Sequence, residues 1–196
     1  MSRRVVLALM SLLALLGACG LSEDGSPQAI APENLPPDLL DPNPGTSTTL
    51  PESPGTSSVS VYFLEQVGGQ DRLAEVRREV ANPSDPGDRL DALFSQPTEA
   101  GLTTSIPADT RLRAVPVLDA DAGELTVDLS SEFLSIEGPE LAKAFAQIVW
   151  TVSELDEVDQ VRFLVDGEEI RAQDADGVEQ EGAVTRGDYN ALAPLP

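Results

Sequence analysis

The residues able to do chemistry in this chain are unevenly supplied. There are 34 Asp and Glu against 12 Lys and Arg, no His, and a single Cys at position 19. Lack of histidine removes the commonest general base and the commonest metal ligand. One thiol forms neither an intrachain disulfide nor a cysteine zinc site. Carboxylates and hydroxyls remain. Asp119-Ala-Asp121-Ala-Gly123 opens like a calcium loop. However, glycine stands at the fifth position, where that loop needs an oxygen ligand and places its glycine one residue later. It reads as a solvated turn, as does the stretch from Asp174 to Gly177. Glu168 and Glu169 are adjacent, and nothing sets a second carboxylate across a cleft as glycoside hydrolysis needs. Ser130 and Ser131 lack a Gly-x-Ser-x-Gly elbow. The expectation is therefore no catalytic residue, no cofactor and no metal, in a protein that is not an enzyme. The competing reading is a peptidoglycan- or carbohydrate-active enzyme that uses Asp and Glu. A net charge of −22 repels nucleic acid and anionic head groups.

Cys19 has a more definite setting. Arg3 and Arg4 precede an apolar run, Val5 to Leu16, too short to cross a hydrocarbon core of about 30 Å as a helix. That is the build of a secretory signal. It ends Leu16-Gly17-Ala18-Cys19, which looks like a bacterial lipobox: an aliphatic residue, two small residues, and the cysteine that receives lipid and becomes the new N-terminus. The expectation is a signal peptide over 1–18, lipid attachment at Cys19, and a protein held on the extracytoplasmic face of the cell membrane. Several acyl chains, at about 0.8 kcal/mol per buried CH₂, anchor durably. Residues 19–57 are rich in Pro, Ser, Thr and Gly without sustained apolar period. Such composition does not offset ordering entropy and predicts a disordered linker. Within it, Leu35-Pro-Pro-Asp-Leu-Leu40 is either a chance cluster or a docking motif.

A domain over 58–170 follows, with a C-terminal extension over 171–196. Its organising stretch is strand, helix, strand. Leu125, Val127 and Leu129 alternate with Thr126 and Asp128, the period of a half-buried strand. Leu141, Ala144, Phe145, Ile148, Val152 and Leu155 form one helical stripe. Gly138-Pro139 starts that helix. Val161, Phe163 and Val165 mark the second strand, closed by Asp166-Gly167. Earlier, Val59 to Leu64 is a strand and Gly68-Gly69 a turn. Residues 72–80 fit helix and strand nearly equally, with a strand paired to the first preferred. Asp88 to Phe94 is a short helix with Leu90, Leu93 and Phe94 on one face. Residues 101–107 are loop, and 111–118 a strand that Pro116 assigns to an edge or bulge.

Several of these segments together resemble the GerMN domain of spore-germination GerM-type proteins, also common in actinobacterial lipoproteins. They are Val59-Ser-Val-Tyr-Phe63, Leu90-Asp-Ala-Leu-Phe94, Val127-Asp-Leu-Ser-Ser-Glu-Phe133, Ala146-Gln-Ile-Val-Trp-Thr151 and Val161-Arg-Phe-Leu-Val-Asp-Gly167. Thr185-Arg-Gly-Asp-Tyr189 looks like the usual tail. The resemblance implies an α+β fold, a mixed β-sheet with two helices packed on one face. It implies an envelope or germination role and carries over no catalytic residue. The expected partners are the membrane, through the lipid, and an unknown envelope protein or wall component; oligomeric state is left open.

Trp150 breaks the helical pattern. On the wheel it lies opposite Leu141, among Lys143, Gln147 and Glu154. These four make a candidate interaction face, since Trp is enriched at interface hot spots. The alternative, slightly preferred, is that the C-terminal segment folds over Trp150.

Overall fold

A long hairpin opens the domain. Strands β1 (Ser57–Val67) and β2 (Gln70–Val80) pair antiparallel along their whole length, Ser57 opposite Val80 and Val67 opposite Gln70. Gly68 and Gly69 join them with φ of 60° and 84°. This left-handed pair suits a tight hairpin turn, whose twist matches that of the strands. Pairing with β1 settles residues 72–80 as strand. β1 is buried on both faces: Val59, Val61 and Phe63 on one, Ser60, Tyr62 and Leu64 on the other. Its second edge takes only a two-residue strand, β3 (Leu102–Thr103), opposite Glu65 and Leu64. Helix α1 (Pro86–Phe94) starts at Asp85, whose carboxylate accepts from the Gly87 N–H at 2.7 Å, with proline in the first turn. Leu90 and Leu93 are its buried residues.

The computed structural model describes residues 56–195, so the expected signal peptide, Cys19 and nearly all of the linker lie outside the described residues.

The second sheet has the order β4-β5-β6-β7, from β4 (Val117–Asp119), β5 (Glu124–Leu129), β6 (Gln160–Val165) and β7 (Glu168–Glu169). β5 and β6 run parallel, so a crossover must join them, and helix α2 (Pro139–Val152) supplies it. Leu125, Val127, Leu129, Val161 and Phe163 line the core, each at most 1% exposed. Phe145 of α2 meets Phe133 and Phe163 edge to face, at centroid distances of 5.2 and 4.7 Å. At the far end of β5, Gly123 (φ 62°) sits hard against Asp159 and its carbonyl accepts from the N–H groups of Asp159 and Gln160. A Cβ at that position would collide with the Asp159 side chain.

The architecture is α+β with mixed pairing, as expected, but the strands are divided between two sheets. Helix α2 consequently has more than a stripe buried: Ala142, Ala146, Gln147, Val149 and Thr151 are covered too, because β1 packs along a second side of it. The strand expected over 111–118 is a second correction. Only Val117–Asp119 is strand; Leu112 makes an isolated bridge to Leu129, the Arg113 N–H still donates to the Asp128 carbonyl at 2.9 Å, and residues 114–116 have no pairing with β5.

The C-terminal residues join the same core. Val184 pairs with Val161 of β6, N–H to carbonyl both ways at 2.8 and 2.9 Å. A capping box between Thr185 and Asp188 starts the 3-10 segment Arg186–Leu192, and Tyr189 within it is fully buried. Arg72 of β2 donates to the Ala191 carbonyl at 2.6 Å.

Candidate interaction surface

The four side chains expected to share an exposed face do not do so. Gln147 is fully buried. Its Nε2 donates to the Tyr62 carbonyl at 3.0 Å, and its Oε1 accepts from the Ser105 N–H at 2.9 Å and the Thr104 hydroxyl at 3.1 Å. Lys143 has only 17% of its side chain exposed and is paired with Asp71 at 2.5 Å and Glu140 at 2.7 Å. Trp150 is half-buried, its ring set edge-on to Tyr62 at 5.5 Å. A helical wheel assumes one buried side, and here the β1–β2 hairpin and the tail cover another. The clue available in sequence was that Gln147 and Thr151 are uncharged, one turn apart, and able to bond a bare strand edge.

The tail reaches this face through Arg186. Its guanidinium lies 4.7 Å above the Trp150 ring, donates to the Trp150 carbonyl at 2.8 Å, and donates to Glu154 at 2.6 Å. The Tyr62 hydroxyl donates to the same carboxylate at 2.9 Å. Burial pulls the Glu154 carboxyl upward, but the hydrogen bonds from Arg186 and Tyr62 outweigh it and hold the pKa below the usual glutamate range. Burial, and then the bond to Glu154, push the Tyr62 phenol well above its usual value. This cluster fastens the tail down and presents no open site.

An open concavity lies elsewhere. Helix α1 and the segment entering β4 enclose a groove of about 500 Å³, with Asp85, Asp88 and Asp91 from the helix and Leu112, Val115 and Pro116 from the segment. Asp85 is occupied as the helix cap, and Asp88 accepts from the Asn82 N–H at 2.7 Å. Partial desolvation, then the charges of Asp88 and Asp85, hold the Asp91 carboxyl above the usual aspartate range. Arg113, on the groove wall, is turned to Asp166 at 2.9 Å. With two carboxylates tied to backbone donors, the arrangement attracts cationic groups and offers no matched acid–base pair. Among the described residues, no group of three or more His, Cys, Asp or Glu is placed to hold a metal ion.

A family model described as Germane, sporulation and spore germination, matches residues 60–171. The chain belongs to the Germane family. The Germane match begins within β1 and ends just past β7, so it contains both helices and the groove. Among solved structures, the chain is similar to the tandem GerMN domains of the sporulation protein GerM from Bacillus subtilis, at 20% identity and a TM-score of 0.53. The similarity covers 73% of this chain and 49% of that one, so the present chain spans about half the tandem's length. It is also similar to the first GerMN domain of that protein, at 20% identity and a TM-score of 0.51, over 67% of this chain and 99% of the other. At such identities the shared feature is the fold. No curated protein matches the chain.

Proposed function

We propose that this protein is a lipoprotein, anchored at Cys19 on the extracytoplasmic face of the cell membrane, whose Germane domain works by binding rather than catalysis. Its role is of the sporulation or germination type, or accessory to the cell wall. The observation that carries the reading is a Germane domain over 60–171 in a chain that also holds Leu16-Gly17-Ala18-Cys19 after a basic head and an apolar run. The groove supports binding over chemistry, since two of its three aspartates serve as backbone acceptors.

The anchor is tested by metabolic labelling with a fatty-acid analogue. Wild type should label and partition with membranes, and Cys19→Ser should do neither. Equal labelling of both, or a wild type that fractionates as soluble, overturns the anchor. Incubation of the purified protein with peptidoglycan tests the other half: release of soluble wall fragments would establish the enzymatic alternative.

A further inference from the structure

The edge of the four-stranded sheet is interrupted at one place. Leu112 is opposite Leu129 and Val117 opposite Thr126, so residues 113–116 face only Val127 and Asp128. The two extra residues make a bulge, which bends an edge strand and re-aims its side chains. Pro116 has no N–H to give. Bulge and proline together obstruct addition of another strand. Yet three of the side chains turned outward are aliphatic, Val115 at 79% exposed, Val117 at 66% and Leu118 at 37%, and the exposed Arg113 among them is paired with Asp166. An apolar cluster rimmed by polar and charged groups, here including Arg111 and Arg113, marks a contact surface.

Beside this cluster lies the groove with its three aspartates. Asp91 also lines an adjoining hollow, and on the wall of that hollow stands Thr110, 3% exposed, whose hydroxyl has no hydrogen-bond partner among the described residues. A buried polar group without a partner is uncommon in a folded domain. Acidic groups, a bare hydroxyl and an aliphatic rim thus adjoin one another, while the two arginines of the lining are engaged by other carboxylates, Arg113 by Asp166 at 2.9 Å and Arg111 by Asp109 at 3.9 Å.

We propose that the bulged edge and the aspartate groove form one docking surface for a partner protein that sets an aliphatic side chain against Val115 and Val117 and a lysine or arginine between Asp88 and Asp91. Charge decides the occupant. Anionic head groups and a second copy of a chain with net charge −22 are both repelled, whereas a basic segment is attracted. The aliphatic rim excludes a purely ionic contact. This inference rests on the binding role proposed above and names where and what the domain binds.

The test uses the full-length chain in detergent and three fluorescein-labelled hexapeptides: alternating valine and lysine, alternating valine and glutamate, and lysine alone. Anisotropy should show the valine–lysine peptide binding at least about tenfold more tightly than hexalysine, with no binding of the valine–glutamate peptide. Val115→Ser and Asp91→Asn, both at exposed positions, should each weaken it about tenfold without moving Tm. Hydrogen exchange should slow in residues 86–94 and 111–118. Equal binding of hexalysine, indifference to both substitutions, or no binding of the valine–lysine peptide overturns the proposal. Protection confined to another surface overturns this site and leaves the binding role standing; wall cleavage overturns both.

Discussion

Gln147 of α2 donates to the backbone carbonyl of Tyr62 in β1 at 3.0 Å, and the residue one turn on, Thr151, accepts from the Tyr62 N–H at 3.1 Å. Both main-chain groups of Tyr62 are therefore satisfied by a helix. β3 serves the same edge of β1 only at Leu64 and Glu65. A short strand would leave buried donors and acceptors bare beyond its end, at a cost of about 1–3 kcal/mol each. The two side chains complete the edge.

Gln147→Leu should accordingly be costly. It leaves the Tyr62 carbonyl and the Ser105 N–H without their partner. The expected loss is about 2–4 kcal/mol in urea unfolding, from two buried unsatisfied groups. A change below about 0.5 kcal/mol, the range of an unremarkable surface substitution, would show that Gln147 is dispensable to the join.

Phe145 tests the other side of the helix. It is fully buried between Phe133 and Phe163. Phe145→Ala should cost about 3–5 kcal/mol through lost transfer energy and a residual cavity. Lys143→Ala, which removes partly buried ion pairs to Asp71 and Glu140 but opens no core cavity, should cost less, about 1–2 kcal/mol. Equal losses would contradict the packing of α2 on the second sheet.

Arg186→Ala should uncover Trp150, the sole tryptophan in the chain. The guanidinium is stacked over its ring at 4.7 Å. Emission should shift to the red, and stability should fall by about 0.5–2 kcal/mol from the lost cation–π contact. An unchanged spectrum would place the cover of Trp150 elsewhere.

Acid sensitivity follows from Glu154. Its folded pKa is depressed, so the folded state binds fewer protons than the unfolded state around and below the unfolded glutamate value of about 4.3. The associated stability is complete above that value and is lost as pH falls through the folded pKa. Glu140, lowered by hydrogen bonds from Lys143 and Ser105, acts with the same sign. Glu154→Gln should therefore lower Tm at pH 7 and flatten its decline between about pH 5 and pH 2. Parallel Tm–pH curves for the two proteins would remove Glu154 from the acid response.

Periodicity exposed the elements whose burial is one-sided. β5 alternates cleanly, and β6 does too, so both could be read from spacing alone. Residues 72–80 were nearly ambiguous, since a charged edge strand carries little apolar period of its own, and the strand paired to the first that alternation favoured is the one observed. Gln147 was misread because a wheel has no means of representing a helix with β1 along one side and β5 and β6 against another. The bulge at 113–116 is likewise set by register between strands, which single-chain pattern does not encode. The groove arises where that bulge meets α1, a meeting of distant segments that the spacing of Asp85, Asp88 and Asp91 along the chain does not encode. The GerMN resemblance, carried by several motifs in order, was the part of the sequence that reached the family.

The hydrogen bond from Arg72 to the Ala191 carbonyl has a kinetic meaning. It joins residues 119 positions apart, and the Val184–Val161 pairing likewise ties the segment after β7 back to β6. Contacts of such long range are made late, after the loop entropy between their ends has been met. The first hairpin can form early, but the core is complete only once residues 184–192 have docked on it. For a chain exported as proposed, residues 184–192 would have to cross the membrane before the domain could lock, which keeps the preceding part threadable until they do.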